Sequence, residues 1–232
     1  MGFVNPSYDD AVPQRGEGGL FLAFEGVEGS GKSTQAGLLA DYLRGRDVEV
    51  VHVREPGSTP LGERVRSLVL EEVELGIPPW SELFLMLAAR AAFLDQVVLP
   101  SLAAGRVVIA DRFELSTLAY QGAGRGLPLA EVARCNRFAT RGVSPDGTVF
   151  LELPSDEGSR RQIAAAKRPD RMEQEAREFH ERVARGYQEI TANVDGLLKV
   201  DASGSIQEVQ RRVMAALGQR FPETFAPGGF IS

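Results

Sequence analysis

Only three lysines, Lys32, Lys167 and Lys199, stand among the 26 Lys and Arg residues of this 232-residue chain, and Lys32 closes a glycine-rich run. Gly26–Ser33 reads GVEGSGKS, of the form G-x-x-x-x-G-K-[ST]. Gly26, Gly29 and Gly31 let the backbone curl, so that amide hydrogens around Val27, Glu28 and Ser30 point inward at phosphate oxygens. Lys32 supplies a compact positive charge and the Ser33 hydroxyl a ligand for Mg²⁺, with Thr34 next in line. A helix opening at Ser33 adds its positive N-terminal dipole. The plainer alternative is a glycine-rich strand-to-helix turn. The scarcity of lysine and the apolar strand pattern just upstream favour phosphate binding, and so a nucleotide binder.

Kinds of nucleotide binder separate on what else is present. The chain has no N-K-x-D or T-K-x-D stretch for reading guanine, is short for a helicase or motor core, and lacks the accessory segments of a transporter ATPase. The apolar run Arg106–Ala110 ends in Asp111-Arg112. A carboxylate there can orient Mg²⁺ through water, and an arginine can hold a phosphate with two parallel hydrogen bonds. An N-capping aspartate beside a surface arginine is the blander option. Thr117, Tyr120 and Gln121 follow at i, i+3 and i+4, a spacing that predicts a common helix face. Arg54-Glu55-Pro56-Gly57 follows the second apolar run, where a substrate loop would lie. Pro154–Arg171 carries Arg160, Arg161, Lys167, Arg168 and Arg171 with little core-forming character. It reads as a mobile lid able to close over a nucleotide, or more plainly as a solvated basic helix end.

Such residues need a scaffold that brings strand ends together. Short apolar runs predict strands at Leu20–Glu25, Val48–Val53, Arg106–Ala110, Thr148–Leu153 and Leu197–Val200. Several are continuously apolar, as strands buried on both faces of a parallel sheet must be. Helical patterns lie between them at Ser33–Arg46, Ser81–Leu102, Pro128–Thr140, Gln174–Thr191 and Ser205–Arg220. The alternation predicts an α/β fold: a doubly wound, five-stranded parallel sheet flanked by helices, with ligands beyond the carboxyl ends of the strands. One domain, residues 20–220 with a lid at about 154–171, is expected between a flexible arm (1–19) and a flexible tail (221–232). Hydrophobic residues at 43% and charged residues at 25% are ordinary for a globular protein. A net charge of −6 argues against coating nucleic acid. The lone Cys135 and two histidines argue against a disulfide scaffold and against structural zinc. No apolar run of membrane-spanning length and no secretory signal is read, so a cytoplasmic location is expected.

Taken in order, FEGVEGSGKST, REPGSTPLGERVRSLVL, LAAR, DRFELSTLAYQGAGRG, SPDGTVFLEL and DRMEQEAREFHERVARGYQEI resemble stretches of bacterial thymidylate kinases, which are P-loop nucleoside monophosphate kinases. The resemblance runs over about residues 20–200. It implies transfer of the ATP γ-phosphoryl group to dTMP, giving dTDP and ADP for dTTP synthesis, with Mg²⁺ and in a homodimer. It also implies roles: Arg112 on the dTMP phosphate, Asp111 near Mg²⁺, Arg90 on the thymine O4, and Thr117 and Gln121 on the base edge. Glu28 would lie near the deoxyribose 3′-hydroxyl, Pro56 and Arg66 against the substrate, and Tyr120 and Tyr187 as walls of the sugar, although simple helix packing also accounts for Tyr187. The loop positions Val27, Glu28 and Ser30 hold no arginine, so the transition-state cation must come from elsewhere. The lid candidates are Arg161, Arg168 and Arg171.

Two departures stand out. Met86 occupies the position, four before Arg90, where the family usually stacks a phenylalanine on thymine; Phe84 would face elsewhere on a helix. Ser58 stands where a second glycine commonly follows REPG. Met86 leaves open a kinase for another pyrimidine deoxynucleotide, and a nucleotide-binding module without acceptor chemistry is the alternative from a different class.

Overall fold

The computed structural model describes residues 15–164, 170–192, 194 and 196–225. Five strands, Leu20–Glu25 (β1), Val50–Arg54 (β2), Val107–Asp111 (β3), Gly147–Glu152 (β4) and Leu197–Asp201 (β5), form one sheet in the order β2-β3-β1-β4-β5. Every pairing is parallel. β1 explains why both faces must be covered. Leu22 and Phe24 enter one core with Leu39 and Leu43 of helix α1 (Lys32–Arg44) and Val213 and Leu217 of α9 (Ile206–Arg220). Phe21 and Ala23 enter a second core with Phe93, Leu94 and Val98. All four β1 side chains are fully buried, and each large one contributes roughly 1.5–3 kcal/mol. The strand therefore reads as a continuous apolar run rather than an alternating one.

The second face is crossed by the helical segment Pro79–Ala103. It starts as α3 (Pro79–Phe93), widens to a π-helical turn at Leu94–Val98 and finishes as α4 (Leu99–Ala103). Pro100 has no N–H and its ring crowds the preceding turn, and the chain meets this by shifting to five-residue spacing: Leu99 N donates to Leu94 O. By length and composition this segment is apolar enough to span a membrane, which corrects the expectation that no such stretch occurs. Half of its most apolar window is buried within the protein, and its Glu82 and Arg90 are buried and paired.

Helix α2 (Pro60–Leu70) is not predicted by apolar periodicity. Its signals are at its start, where Pro60 takes the first position and Thr59 Oγ1 accepts from Gly62 N at 2.9 Å. After β3, α5 (Glu114–Thr117) runs into a π-helical stretch, Leu118–Gly124. The remaining helices are α6 (Leu129–Thr140), α7 (Ser155–Ala164), α8 (Arg177–Thr191) and α10 (Pro222–Phe225). Packed structure reaches beyond the predicted boundaries: Gly16 N donates to Leu102 O at 2.9 Å, and Phe225 is buried in the first core.

Candidate active site

β1 ends at Glu25 and α1 begins at Lys32, so Gly26–Gly31 must reverse the chain. Gly26, Gly29 and Gly31 have φ of 145°, 72° and 92°, the region that a Cβ disfavours. A Cβ on Gly29 would also lie 2.2 Å from the carbonyl oxygen of Gly158, and one on Gly158 2.3 Å from that of Glu28. The loop and the first turn of α7 thus meet backbone to backbone. Lys32 Nζ donates to Gly26 O (3.0 Å) and Val27 O (2.8 Å). Burial, with Arg112 nearby, lowers the Lys32 pKa to about 8. Ser33 Oγ donates to Asp111 Oδ2, and Asp111 Oδ1 is buried without a partner among the described residues.

Arg112 sits just past β3 in a strained left-handed conformation (φ 75°), its N–H donating to Phe24 O at 2.9 Å. Its guanidinium donates to Glu28 Oε1 (2.5 Å) and Ser116 Oγ (3.1 Å) and lies over the Tyr120 ring. The Tyr120 hydroxyl donates to the same Glu28 oxygen at 2.7 Å. Burial pushes the Glu28 carboxyl up, but Arg112, Lys32 and the Tyr120 hydroxyl outweigh it and bring its pKa to about 2. Arg66 Nη1 donates to Pro56 O at 3.1 Å, and burial together with Arg54 pulls its pKa down. Arg54, Arg66 and Arg112 line one cavity of about 540 Å³ with Glu28, Lys32, Ser33, Thr34, Pro56, Met86, Asp111, Tyr120, Gln121 and Arg161. The volume suits a nucleotide-sized ligand, and converging arginines suit a phosphate.

Several predicted residues stand behind this wall instead of in it. Arg90 is 1% exposed, and all five of its N–H donors are taken by Glu55 Oε2 (2.9 and 2.7 Å), Thr117 Oγ1 (2.8 Å), Asn136 Oδ1 (2.5 Å) and Phe113 O (3.0 Å). Donors so occupied leave nothing for a base oxygen. Thr117 serves Arg90 and does not line the cavity that Tyr120 and Gln121 line. The Tyr187 hydroxyl is within 3.0 Å of Ser116 Oγ and donates to Glu25 Oε2 at 3.0 Å, so the ring packs behind Arg112.

Of the lid arginines, Arg161 lines the cavity, held by Ala202 O (3.0 Å) and Glu157 Oε1 (2.6 Å). Arg171 is tied down: Nε donates to Val69 O at 2.5 Å and Nη2 to Glu82 Oε2. Arg168 and Lys167 lie outside the described residues.

The buried carboxylates Glu25 and Glu82 escape motif reading, and Glu55, read as part of a substrate loop, pairs instead with Arg90. Glu25 accepts from Phe113 N, Ser116 N and Ser116 Oγ at 2.8, 3.0 and 2.6 Å and so fixes the turn that carries Arg112. Glu82 accepts from Gln121 Nε2 at 2.9 Å and from Arg125 and Arg171. A carboxylate inside the apolar run SELFLML is the signal that could have pointed to it, since a buried charge must be paired.

A family model described as Thymidylate kinase matches residues 24–213. A thymidylate kinase of Synechococcus sp. (strain JA-2-3B'a(2-13)) is 43% identical over 206 residues, 88% of this chain and 96% of its own length. That of Pseudomonas putida (strain GB-1) is 44% identical over 200 residues, 86% and 95% of the two chains. The crystal structure of thymidylate kinase from Ehrlichia chaffeensis superposes with a TM-score of 0.68 at 32% identity, covering 85% of this chain and 97% of that one.

The chain belongs to the thymidylate kinase family. Its five-stranded parallel sheet flanked by helices is the P-loop fold of that family. Within this thymidylate kinase architecture, Met86 lines the cavity, whereas Phe84 is 57% exposed and stacks on Trp80 with ring centroids 6.1 Å apart. Phe84 therefore does not stand in for the missing ring. Ser58 adopts φ 63°, a conformation natural to glycine. It is held there by hydrogen bonds between its Oγ and both backbone groups of Arg54 (3.0 and 3.1 Å) and by its N–H to Glu63 Oε1 (2.8 Å).

Proposed function

We propose that this member of the thymidylate kinase family passes the γ-phosphoryl group of ATP in line to the phosphate of dTMP, releasing ADP and dTDP. The observation that carries the reading is one cavity lined both by the phosphate-loop residues Lys32 and Ser33 and by Arg112, Tyr120 and Gln121. The acceptor is already a phosphate oxygen anion, so neither a covalent intermediate nor a strong general base is needed. Catalysis is positioning and charge neutralisation. Lys32 and the loop amides hold the donor phosphates. Arg112, with Arg54 and Arg66 beside it, holds the acceptor phosphate, and Glu28 keeps Arg112 aimed. Arg161 supplies positive charge from the lid side.

Ser33 and Asp111 are the residues that would hold Mg²⁺, and the unpartnered Asp111 Oδ1 fits that use. When bound there, Mg²⁺ neutralises charge on the donor phosphates. Gln121 Oε1 accepts the N3–H of the base and Met86 packs on its face. Arg90, Thr117 and Tyr187 position these residues from behind. The exposed Trp80–Phe84 pair on α3 supports a homodimer through that helix, and the reading is of a cytoplasmic enzyme serving dTTP synthesis.

The test is ADP release from Mg·ATP with dTMP, dUMP, dCMP or no acceptor. Turnover with dTMP well above the others supports the reading. Equal turnover with dCMP favours a broader pyrimidine deoxynucleotide kinase, the option that Met86 keeps alive. ATP binding with no acceptor-dependent ADP leaves a nucleotide-binding module.

A further inference from the structure

This inference rests on the kinase reading above and extends it to base selectivity. We propose that Glu82, which does not line the cavity, selects thymine over cytosine by fixing which end of the Gln121 amide faces the base. Glu82 is fully buried at the start of α3 and accepts four hydrogen bonds. Its Oε1 takes Gln121 Nε2 (2.9 Å) and Arg125 Nε (3.1 Å); its Oε2 takes Arg125 Nη2 (3.0 Å) and Arg171 Nη2. Burial pushes the Glu82 carboxyl up, but hydrogen bonds from Arg125, Gln121 and Arg171 outweigh it and keep it ionised. An ionised carboxylate is acceptor-only. Gln121 must therefore give it the NH₂ end, which leaves the buried Oε1 as the free acceptor of a residue that lines the cavity.

Gln121 is 1% exposed, its Oε1 has no partner among the described residues, and the side chain lines the cavity with Met86. The pocket consequently presents a fixed acceptor. Thymine and uracil answer it with N3–H. Cytosine carries a bare lone pair at N3, so two acceptors would oppose each other in a buried site, and such mispairing is strongly rejected.

The same geometry says what reversing Glu82 does. In E82Q the two guanidinium Nη2 groups keep the amide oxygen on their side, so its NH₂ end meets Gln121. The Gln121 amide then turns over and offers Nε2 to the base, a donor in place of an acceptor. In E82D the partner remains acceptor-only and the polarity is kept.

The experiment is kcat/KM for dTMP, dUMP and dCMP in the wild type, E82Q and E82D. The expected result is a dTMP-to-dCMP ratio reduced about tenfold or more in E82Q and retained in E82D, whatever the absolute rates. A role confined to packing lowers all three substrates together, so an unchanged ratio in E82Q overturns the proposal. E82Q removes the counter-charge of two buried arginines, so the charge-balanced E82Q/R125M, which keeps the Arg171 Nη2 donor on the amide oxygen, is measured beside it. Folding is checked by circular dichroism, and the ratio is read on whichever variant folds. If neither folds, a wild type that uses dTMP and dCMP equally still overturns the proposal. Absence of any dTMP-dependent ADP in the wild type is a separate result, which removes the kinase reading itself.

Discussion

Arg112 Nη2 lies 2.5 Å from Glu28 Oε1, so the residue that follows β3 and the third residue of the phosphate loop are clamped to each other. The clamp joins the two halves of the cavity. Donor-side and acceptor-side groups therefore share one rigid reference, which is what in-line transfer between two phosphates requires.

E28Q is expected to free Arg112 and raise KM for dTMP about tenfold, the scale of a lost charge-assisted hydrogen bond. A pH signature accompanies it. The folded pKa of Glu28, about 2, lies below the ordinary 4.5. Its stabilisation is therefore complete above about pH 4.5 and is lost as pH falls toward 2. Urea unfolding of wild type and E28Q at pH 5.5 and pH 3.5 should show the stability gap narrowing at the lower pH.

Lys32 is shifted in the same direction, but for a base that shift disfavours the charged form. Its folded pKa, about 8, is below the ordinary 10.5, so the native state resists holding it charged, and that penalty is relieved as pH rises from 8 to 10.5. Only the protonated side chain attracts phosphate. The free enzyme should lose kcat/KM for ATP about tenfold per pH unit above roughly pH 8. A profile of ADP release that stays flat to pH 10 would contradict this.

The lid candidates Arg161 and Arg171 should separate in kinetics. R161A is expected to lower kcat on the order of a thousandfold with KM for dTMP little changed, as for a group acting on the transferring phosphoryl. R171A removes a cation from buried Glu82 and should instead lower unfolding stability by about 3 kcal/mol. Equal kcat losses in both variants would argue against the assignment.

Arg90 offers a choice between a structural and a base-binding role. With every donor engaged inside the protein, R90M should destabilise the fold by about 3–5 kcal/mol, read from urea unfolding without substrate. A variant of wild-type stability with a raised KM for dTMP would restore direct contact with thymine.

The sheet was readable because parallel strands covered on both faces carry continuous apolar runs, as in LFLAF and VVIA. The phosphate loop was readable because its positive φ angles require glycine, and Asp111-Arg112 because it closes a strand beside that loop. The rest failed for nameable reasons. PLGERVRSLVL announces α2 by its cap rather than by an apolar stripe. Thr117 was placed by its spacing from Tyr120 and Gln121, and spacing does not report that Arg90, 27 residues earlier, takes its hydroxyl. Glu82 finds its arginines 43 and 89 residues further along, and no local pattern reports such a meeting.

The strand order has a consequence for how the chain is made. β1 is the central strand and the first to emerge from synthesis, yet its neighbours are β3, beginning at Val107, and β4, beginning at Gly147. Parallel pairing allows it no early hairpin partner. Throughout the making of residues 26–106 both edges of LFLAFE stand open, an invitation to any other unpaired strand. The part of the finished enzyme most thoroughly hidden from its surroundings is thus the part that a nascent chain must keep to itself longest.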